Sequence, residues 1–173
     1  MIELEIKVPC ADLSTLVSRL HDLGARHVED LEQEDVYFNS PMHDFGRTDE
    51  ALRLRRENER CRITYKGPKL DRDTKMREEI ELEIEDLARM SLVLERLGFS
   101  PVLRVPKRRT VYSYGNLEVC IDRVEGLGDY VELEYAGDDL DAGKQEIMRA
   151  KLALGLEGNE RRSYLELLME KGK

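Results

Sequence analysis

The chain of 173 residues lacks several features from which function is commonly read. No apolar run approaches the about eighteen residues that a membrane-spanning helix needs. The first three positions already carry a charge, and no apolar leader-like stretch follows. Cysteine is sparse: Cys10, Cys61 and Cys120 share no C-x-x-C spacing, and His21, His27 and His43 complete no zinc-ligand pattern with them. Such thiols suit a reducing compartment, so a cytoplasmic location is expected. A basic excess is also missing. The 28 Lys and Arg against 37 Asp and Glu leave a net charge of −9, which argues against nucleic acid as a partner. An anionic small ligand stays open, because local charge can differ from the total. No nucleophilic triad is present, and Gly126-x-Gly128 lacks the third glycine of a dinucleotide fingerprint. It also precedes a strand-like run, so it reads as a turn.

What is present is charge in alternation. IELEIKV, Ile2–Val8, has Ile2, Leu4, Ile6 and Val8 on one face and Glu3, Glu5 and Lys7 on the other. Helical spacing follows in Leu13, Leu16, Val17, Leu20 and Leu23, between an Asp12 N-cap and a Gly24 stop, and again in Leu87, Met90, Leu94 and Leu97 between Asp86 and Gly98. Each span is preceded by the tetrapeptide ELEI and followed by a β-like run, which points to a duplicated strand–helix–strand unit. Further alternating runs are ALRLR (Ala51–Arg55), RCRITYK (Arg60–Lys66), Lys75–Ile84, Val105–Tyr114, Leu117–Val124 and Tyr130–Tyr135. Helical character returns over Ala142–Leu154 and in a short piece at Tyr164–Leu168. Roughly eight strands and about three helices predict an α+β fold with largely antiparallel strands.

In nearly every strand the charged parity carries paired types: Arg53/Arg55, Arg62/Lys66, Arg77/Glu79/Glu81/Glu83, Lys107/Arg109, Asp122, and Glu132/Glu134. One solvated sheet face is the common explanation. Two features oppose it. Carboxylates two apart on a strand sit about 7 Å from each other on one face, a spacing suited to shared cation coordination. The apolar helix faces also need the apolar strand faces as partners. If helices coat a closed barrel, the charged parity points inward, where unpaired charges would cost several kcal/mol each. A water-filled tunnel holding a polyanion and divalent cations would resolve that cost, with Arg and Lys on phosphate oxygens and carboxylates on hard cations.

Glu3-Leu4-Glu5-Ile6-Lys7 matches an E-x-E-x-K signature, and LRLR (Leu52–Arg55), TYKGP (Thr64–Pro68), REEIE (Arg77–Glu81), KRR (Lys107–Arg109), IDRVEGLG (Ile121–Gly128) and VELE (Val131–Glu134) follow in order. In these motifs the chain resembles the CYTH family, the triphosphate tunnel metalloenzymes, over essentially its whole length. The resemblance implies one CYTH domain spanning 1–173: an eight-stranded antiparallel closed barrel, the triphosphate tunnel, with helices packed outside. It implies Mg²⁺ or Mn²⁺ held chiefly by Glu3, Glu5, Glu132 and Glu134, with Asp122 as a ligand or orienting a metal-bound water. Lys7, Arg53, Arg55, Lys66, Lys107 and Arg109 would hold phosphate. Arg77, Glu79 and Glu81 would sit deeper, Arg77 toward phosphate and the two glutamates as ligands or charge partners. Glu3, Glu5, Lys7 and Asp122 form the expected catalytic set; Arg62 and Glu83 read as structural.

The implied substrate is a small-molecule triphosphate: ATP, tripolyphosphate or thiamine triphosphate. If a 3′-OH attacks the α-phosphorus, the products are cyclic AMP and pyrophosphate; if water attacks the terminal phosphorus, the chain is a triphosphatase. The compact length, Gly67-Pro68 and LGDYVELE resemble the cyclase-like branch, which is narrowly favoured. A non-catalytic triphosphate or polyphosphate binder is the rival from another class. No residue in the sequence declares an adenine pocket. The C-terminal piece around Arg161, Arg162 and Tyr164 is read as a tunnel cap, a homodimer contact or plain packing.

Overall fold

A computed structural model of the chain describes residues 2–172. The opening run is broken at Leu4 into β1 (Ile2–Glu3) and β2 (Glu5–Pro9), followed by α1 (Leu13–Asp22), β3 (Arg26–Asn39) and a single turn of helix, α2 (Phe45–Thr48). Then come β4 (Ala51–Glu57), β5 (Arg60–Lys66), β6 (Arg77–Ile84), α3 (Leu87–Arg96) and β7 (Ser100–Tyr114). The chain ends with β8 (Leu117–Val124), β9 (Gly128–Tyr135), α4 (Leu140–Ala153) and α5 (Tyr164–Lys171).

All strand pairs are antiparallel, in the order β1-β6-β5-β4-β3-β7-β8-β9-β2. The two ends of that order are consecutive segments of one run, so the sheet curls back on itself. At Leu4 the chain passes from its β6 neighbour to its β9 neighbour, and the Leu4 carbonyl accepts from the Tyr135 N–H at 2.9 Å. Nine strand segments therefore stand where eight strands were expected, because Leu4 interrupts the first. The helices among the described residues number five: the short α2 is added to those expected, and the short piece at Tyr164–Leu168 forms a helix of its own, α5.

The duplicated unit is visible as β2–α1–β3 and β6–α3–β7. Asp12 and Asp86 cap their helices by accepting from the N–H of Thr15 and Arg89, each at 3.0 Å. Gly24 and Gly98 end them at φ of 77° and 93°, in the left-handed region where a Cβ is penalised. The last strands of the two units, β3 and β7, pair with each other from Arg26↔Ser113 to Asn39↔Ser100.

Strand alternation sends one side chain set outward onto the helices. Leu4, Ile6, Val8, Val119, Ile121, Val131 and Leu133 meet Leu16 and Leu20 of α1 and Ile147 and Ala150 of α4. Val36, Phe38, Leu52 and Leu54 meet Leu94 of α3, whereas Val105 and Val124, of the opposite parity, meet Tyr164 and Leu167 of α5 at one end of the barrel. The helices packed outside leave part of the barrel's outer face uncovered. On β6, Ile80 and Leu82 are 52% and 63% exposed, because α3 packs instead over β4 and β7. The other parity points inward, so Glu5, Lys7, Arg53, Arg55, Arg77, Lys107, Arg109 and Glu132 are all buried although charged.

Candidate active site

The inward side chains enclose a cavity of about 1320 Å³. Among its lining residues are Glu3, Glu5, Lys7, Arg53, Arg55, Lys66, Arg77, Glu79, Glu81, Lys107, Arg109, Glu132 and Glu134. Of the residues singled out from sequence, only Asp122 lies behind the wall rather than on it.

Three carboxylates converge. Glu5 faces Glu134 across the β2–β9 pair, and each of Glu3, Glu5 and Glu134 offers one oxygen within 4.8 Å of the other two. Burial, together with the charges of Glu3, Glu5 and Glu118, pushes the Glu134 carboxyl up to about 8. Burial likewise raises Glu3, against the pull of Lys66. Such crowding is the signature of a site short of positive charge: like charges at close range cannot all ionise unless a cation joins them. The donor set, all carboxylate oxygen, fits a hard divalent ion such as Mg²⁺ or Mn²⁺.

Glu132 and Asp122 stand apart from this trio. Asp122 is fully buried and accepts from Arg109 Nε and Nη2 at 2.6 Å each, from Lys107 Nζ at 2.7 Å and from the Tyr164 hydroxyl at 2.9 Å. Glu132 also accepts from Arg109. Burial alone would raise both acids; the neighbouring cations outweigh it and hold both below their ordinary values, Glu132 far below. These two acids are saturated by side-chain cations. Glu79 is engaged by Lys66, whose Nζ also reaches Glu3 at 3.3 Å. Glu81 accepts from the Thr64 hydroxyl at 2.9 Å and lies 3.7 Å from Arg53.

The basic side of the cavity is organised by an acid that the sequence did not single out. Asp35 on β3 is fully buried and takes both Arg55 Nε at 2.6 Å and Arg55 Nη2 at 2.8 Å, with Arg53 4.0 Å away. This fork leaves Arg55 fixed in place. Lys75, at the end of the β5–β6 loop, was also missed. Its N–H donates to the Glu5 carbonyl at 2.9 Å and its Nζ to Glu5 Oε1 at 3.1 Å. Gln33 lines the cavity as well, one inward step before Asp35. Extending the parity rule back from Tyr37 would have found Gln33 and Asp35. The opposite parity there carries Glu32 and Glu34, so β3 shows no apolar face to flag.

Lys7 is the most enclosed cation. Its Nζ donates to the Arg162 carbonyl and lies 4.0 Å from the centre of the Tyr164 ring. Burial and the neighbouring Lys75 hold its pKa well below the ordinary lysine value. The segment leading into α5 is fastened to the same strand, since Glu160 N–H donates to the Lys7 carbonyl at 2.7 Å. Thus the C-terminal segment around Arg161, Arg162 and Tyr164 packs across one end of the barrel, beside Lys7, Lys107 and Asp122.

The comparisons with known proteins agree on one family. The CYTH domain profile matches residues 1–164. A candidate adenylate cyclase of Methanocaldococcus jannaschii is 44% identical over 172 residues, covering 96% of this chain and 98% of that protein. Adenylate cyclase CyaB of Aeromonas hydrophila is 30% identical over 173 residues, covering 95% and 87%. A solved Pyrococcus horikoshii protein superposes with a TM-score of 0.87 at 39% identity, over 98% of this chain and 99% of that one. With its whole fold and nearly its whole sequence matched, the chain belongs to the CYTH family.

Proposed function

We propose that this protein is a metal-dependent enzyme acting on a small-molecule triphosphate inside the barrel, and that it converts ATP to cyclic AMP and pyrophosphate. The observation that carries this reading is the pairing, in one cavity, of the Glu3–Glu5–Glu134 trio with buried cations. Metal ligands alone would suit many hydrolases, and cations alone would suit an anion sensor. Both together suit phosphoryl chemistry, which asks a protein chiefly for positioning and charge neutralisation. The cyclase names of the two relatives favour cyclisation over hydrolysis.

Glu3, Glu5 and Glu134 would hold the divalent ion, which when bound would neutralise phosphate charge and lower the pKa of the attacking oxygen. Arg53, Lys66, Arg77 and Lys107 would bind the β- and γ-phosphates and stabilise charge on the departing pyrophosphate. Arg55, pinned by Asp35, and Arg109, pinned by Asp122 and Glu132, would supply fixed positive walls. Asp122 acts in this reading as the charge partner that positions Lys107 and Arg109. The 3′-OH attacks the α-phosphorus, the bond to the β-phosphate oxygen breaks, and the hydroxyl proton leaves to solvent.

Phosphorus NMR of the purified protein with ATP, then with tripolyphosphate, in Mg²⁺ and in Mn²⁺, tests this. Pyrophosphate and a cyclic phosphodiester signal are expected from ATP, absent in Glu5→Gln. Orthophosphate release, above all from tripolyphosphate, would replace the cyclase by a triphosphatase. Line broadening without turnover would leave a binder.

A further inference from the structure

The cavity wall is mixed, and one small apolar stretch of it lies directly among the ionic side chains of the site. Leu31 on β3, Val111 on β7 and Cys120 on β8 are buried together as a small separate cluster. All three belong to the inward parity, two positions from Gln33, Arg109 and Asp122 respectively. The register places the cluster next to the functional side chains: Leu31 lies opposite Arg109, and Cys120 lies between Val111 and Glu132. Apolar side chains add nothing to the binding of a metal or of phosphates. They suit the face of a flat organic ring.

Gln33 adjoins this patch and is 3% exposed. Its Nε2 donates to Glu57 Oε2, and because an ionised carboxylate only accepts, that bond fixes which end of the amide is oxygen. The oxygen, Oε1, is buried and has no hydrogen-bond partner. A buried acceptor left unpaired is costly enough that native structures rarely keep one without a use. Leu31, Val111 and Gln33 all line the cavity that the carboxylate trio shares.

We infer that Gln33, Leu31 and Val111, backed by Cys120, form the seat of a nucleotide base, and that this base is a purine with a 6-amino group, as adenine is. The inference rests on the reading of the cavity as a triphosphate site. The ring lies against Leu31 and Val111, with Cys120 packed behind them, and its amino N–H donates to Gln33 Oε1. A 6-oxo purine would instead set its carbonyl lone pairs against the same oxygen, so the site discriminates adenine from hypoxanthine and guanine.

Calorimetric titration with ADP, IDP and pyrophosphate in Mg²⁺ tests the seat without turnover, since none of the three is a triphosphate. ADP and IDP differ only on one edge of the base, 6-amino against 6-oxo and, with it, N1 as acceptor against N1–H. The unaltered protein should bind ADP at least about tenfold more tightly than IDP. Gln33→Met should bring the two within about twofold of each other while pyrophosphate affinity holds, which also reports that the variant is folded. Val111→Phe, filling the patch, should weaken ADP and IDP alike and spare pyrophosphate; it keeps the test alive if Gln33→Met does not fold. Equal binding of ADP and IDP by the unaltered protein, or discrimination that survives Gln33→Met, would overturn the base seat. Failure of pyrophosphate itself to bind would bring down the triphosphate reading, and the seat with it.

Discussion

At the scale of single residues, the cavity is a problem in charge compensation. Asp35 is the clearest case: fully buried, it is held as a carboxylate chiefly by Arg55, which grips both its oxygens. Asp35→Asn should therefore cost about 3–5 kcal/mol in urea unfolding, by leaving Arg55 buried without its counter-charge. A loss under about 1 kcal/mol would mean that Arg55 reaches other compensation and that the fork is not what holds it. Glu134 gives a second prediction, of opposite kind. Held up to about 8, its carboxyl keeps a proton at neutral pH in the ion-free protein. A divalent cation binds the carboxylate form, so binding should release about one proton per ion near pH 6.5, about half of one near pH 8 and almost none above about 9. Apparent affinity should climb with pH over that window and then level. Calorimetry in two buffers of different ionisation heat counts the protons, and a count of zero near pH 6.5 would remove Glu134 from the metal site. Legibility at this scale was uneven. E-x-E and R-x-R pairs announced Glu3, Glu5, Arg53 and Arg55 because their strands also show a clean apolar face. Asp35 and Gln33 stayed hidden because β3 runs on past the helices, and its outward positions near Glu32 and Glu34 are polar. Lys75 shares the parity of Arg77 in the alternating run Lys75–Ile84 and could have been read with it, although β6 itself begins only at Arg77.

At the scale of elements, local rules did most of the work. The Asp12…Gly24 and Asp86…Gly98 spans became α1 and α3 because a side-chain cap and a left-handed glycine fix both ends of each helix. The break at Leu4 was illegible, since it arises from which neighbours flank the first strand and not from its own residues. The same holds for the bare outer face of β6, where Ile80 and Leu82 look like core positions but have no helix above them. The α5 helix depends on its start: Ser163 accepts from the Glu166 N–H, and Glu166 returns the bond to the Ser163 N–H. Ser163→Ala should destabilise that end by about 1 kcal/mol. Hydrogen exchange should speed up across 164–171 while β7 and β8 stay protected. Equal acceleration throughout the barrel would show that α5 unfolds only with the whole.

At the scale of the whole molecule, the net charge of −9 and the buried cations describe different places. The acids dominate the surface and the carboxylate trio, while the phosphate-binding side is walled by Lys and Arg behind a closed sheet. Composition could not locate that separation; strand parity could, once the helices were required to pack on something. A ligand that binds only the folded barrel must also stabilise it. Tripolyphosphate with Mg²⁺ at about a hundred times its dissociation constant should add about 2.7 kcal/mol, seen as a rise in Tm that EDTA removes. An unchanged Tm would leave the cavity without its proposed ligand. The most direct measurement is anomalous diffraction from crystals soaked with Mn²⁺ and tripolyphosphate. A manganese peak is expected among Glu3, Glu5 and Glu134, with phosphate density against Arg53, Lys66 and Arg77. A manganese peak at any other cluster, or phosphates bound outside the barrel, would contradict the tunnel reading.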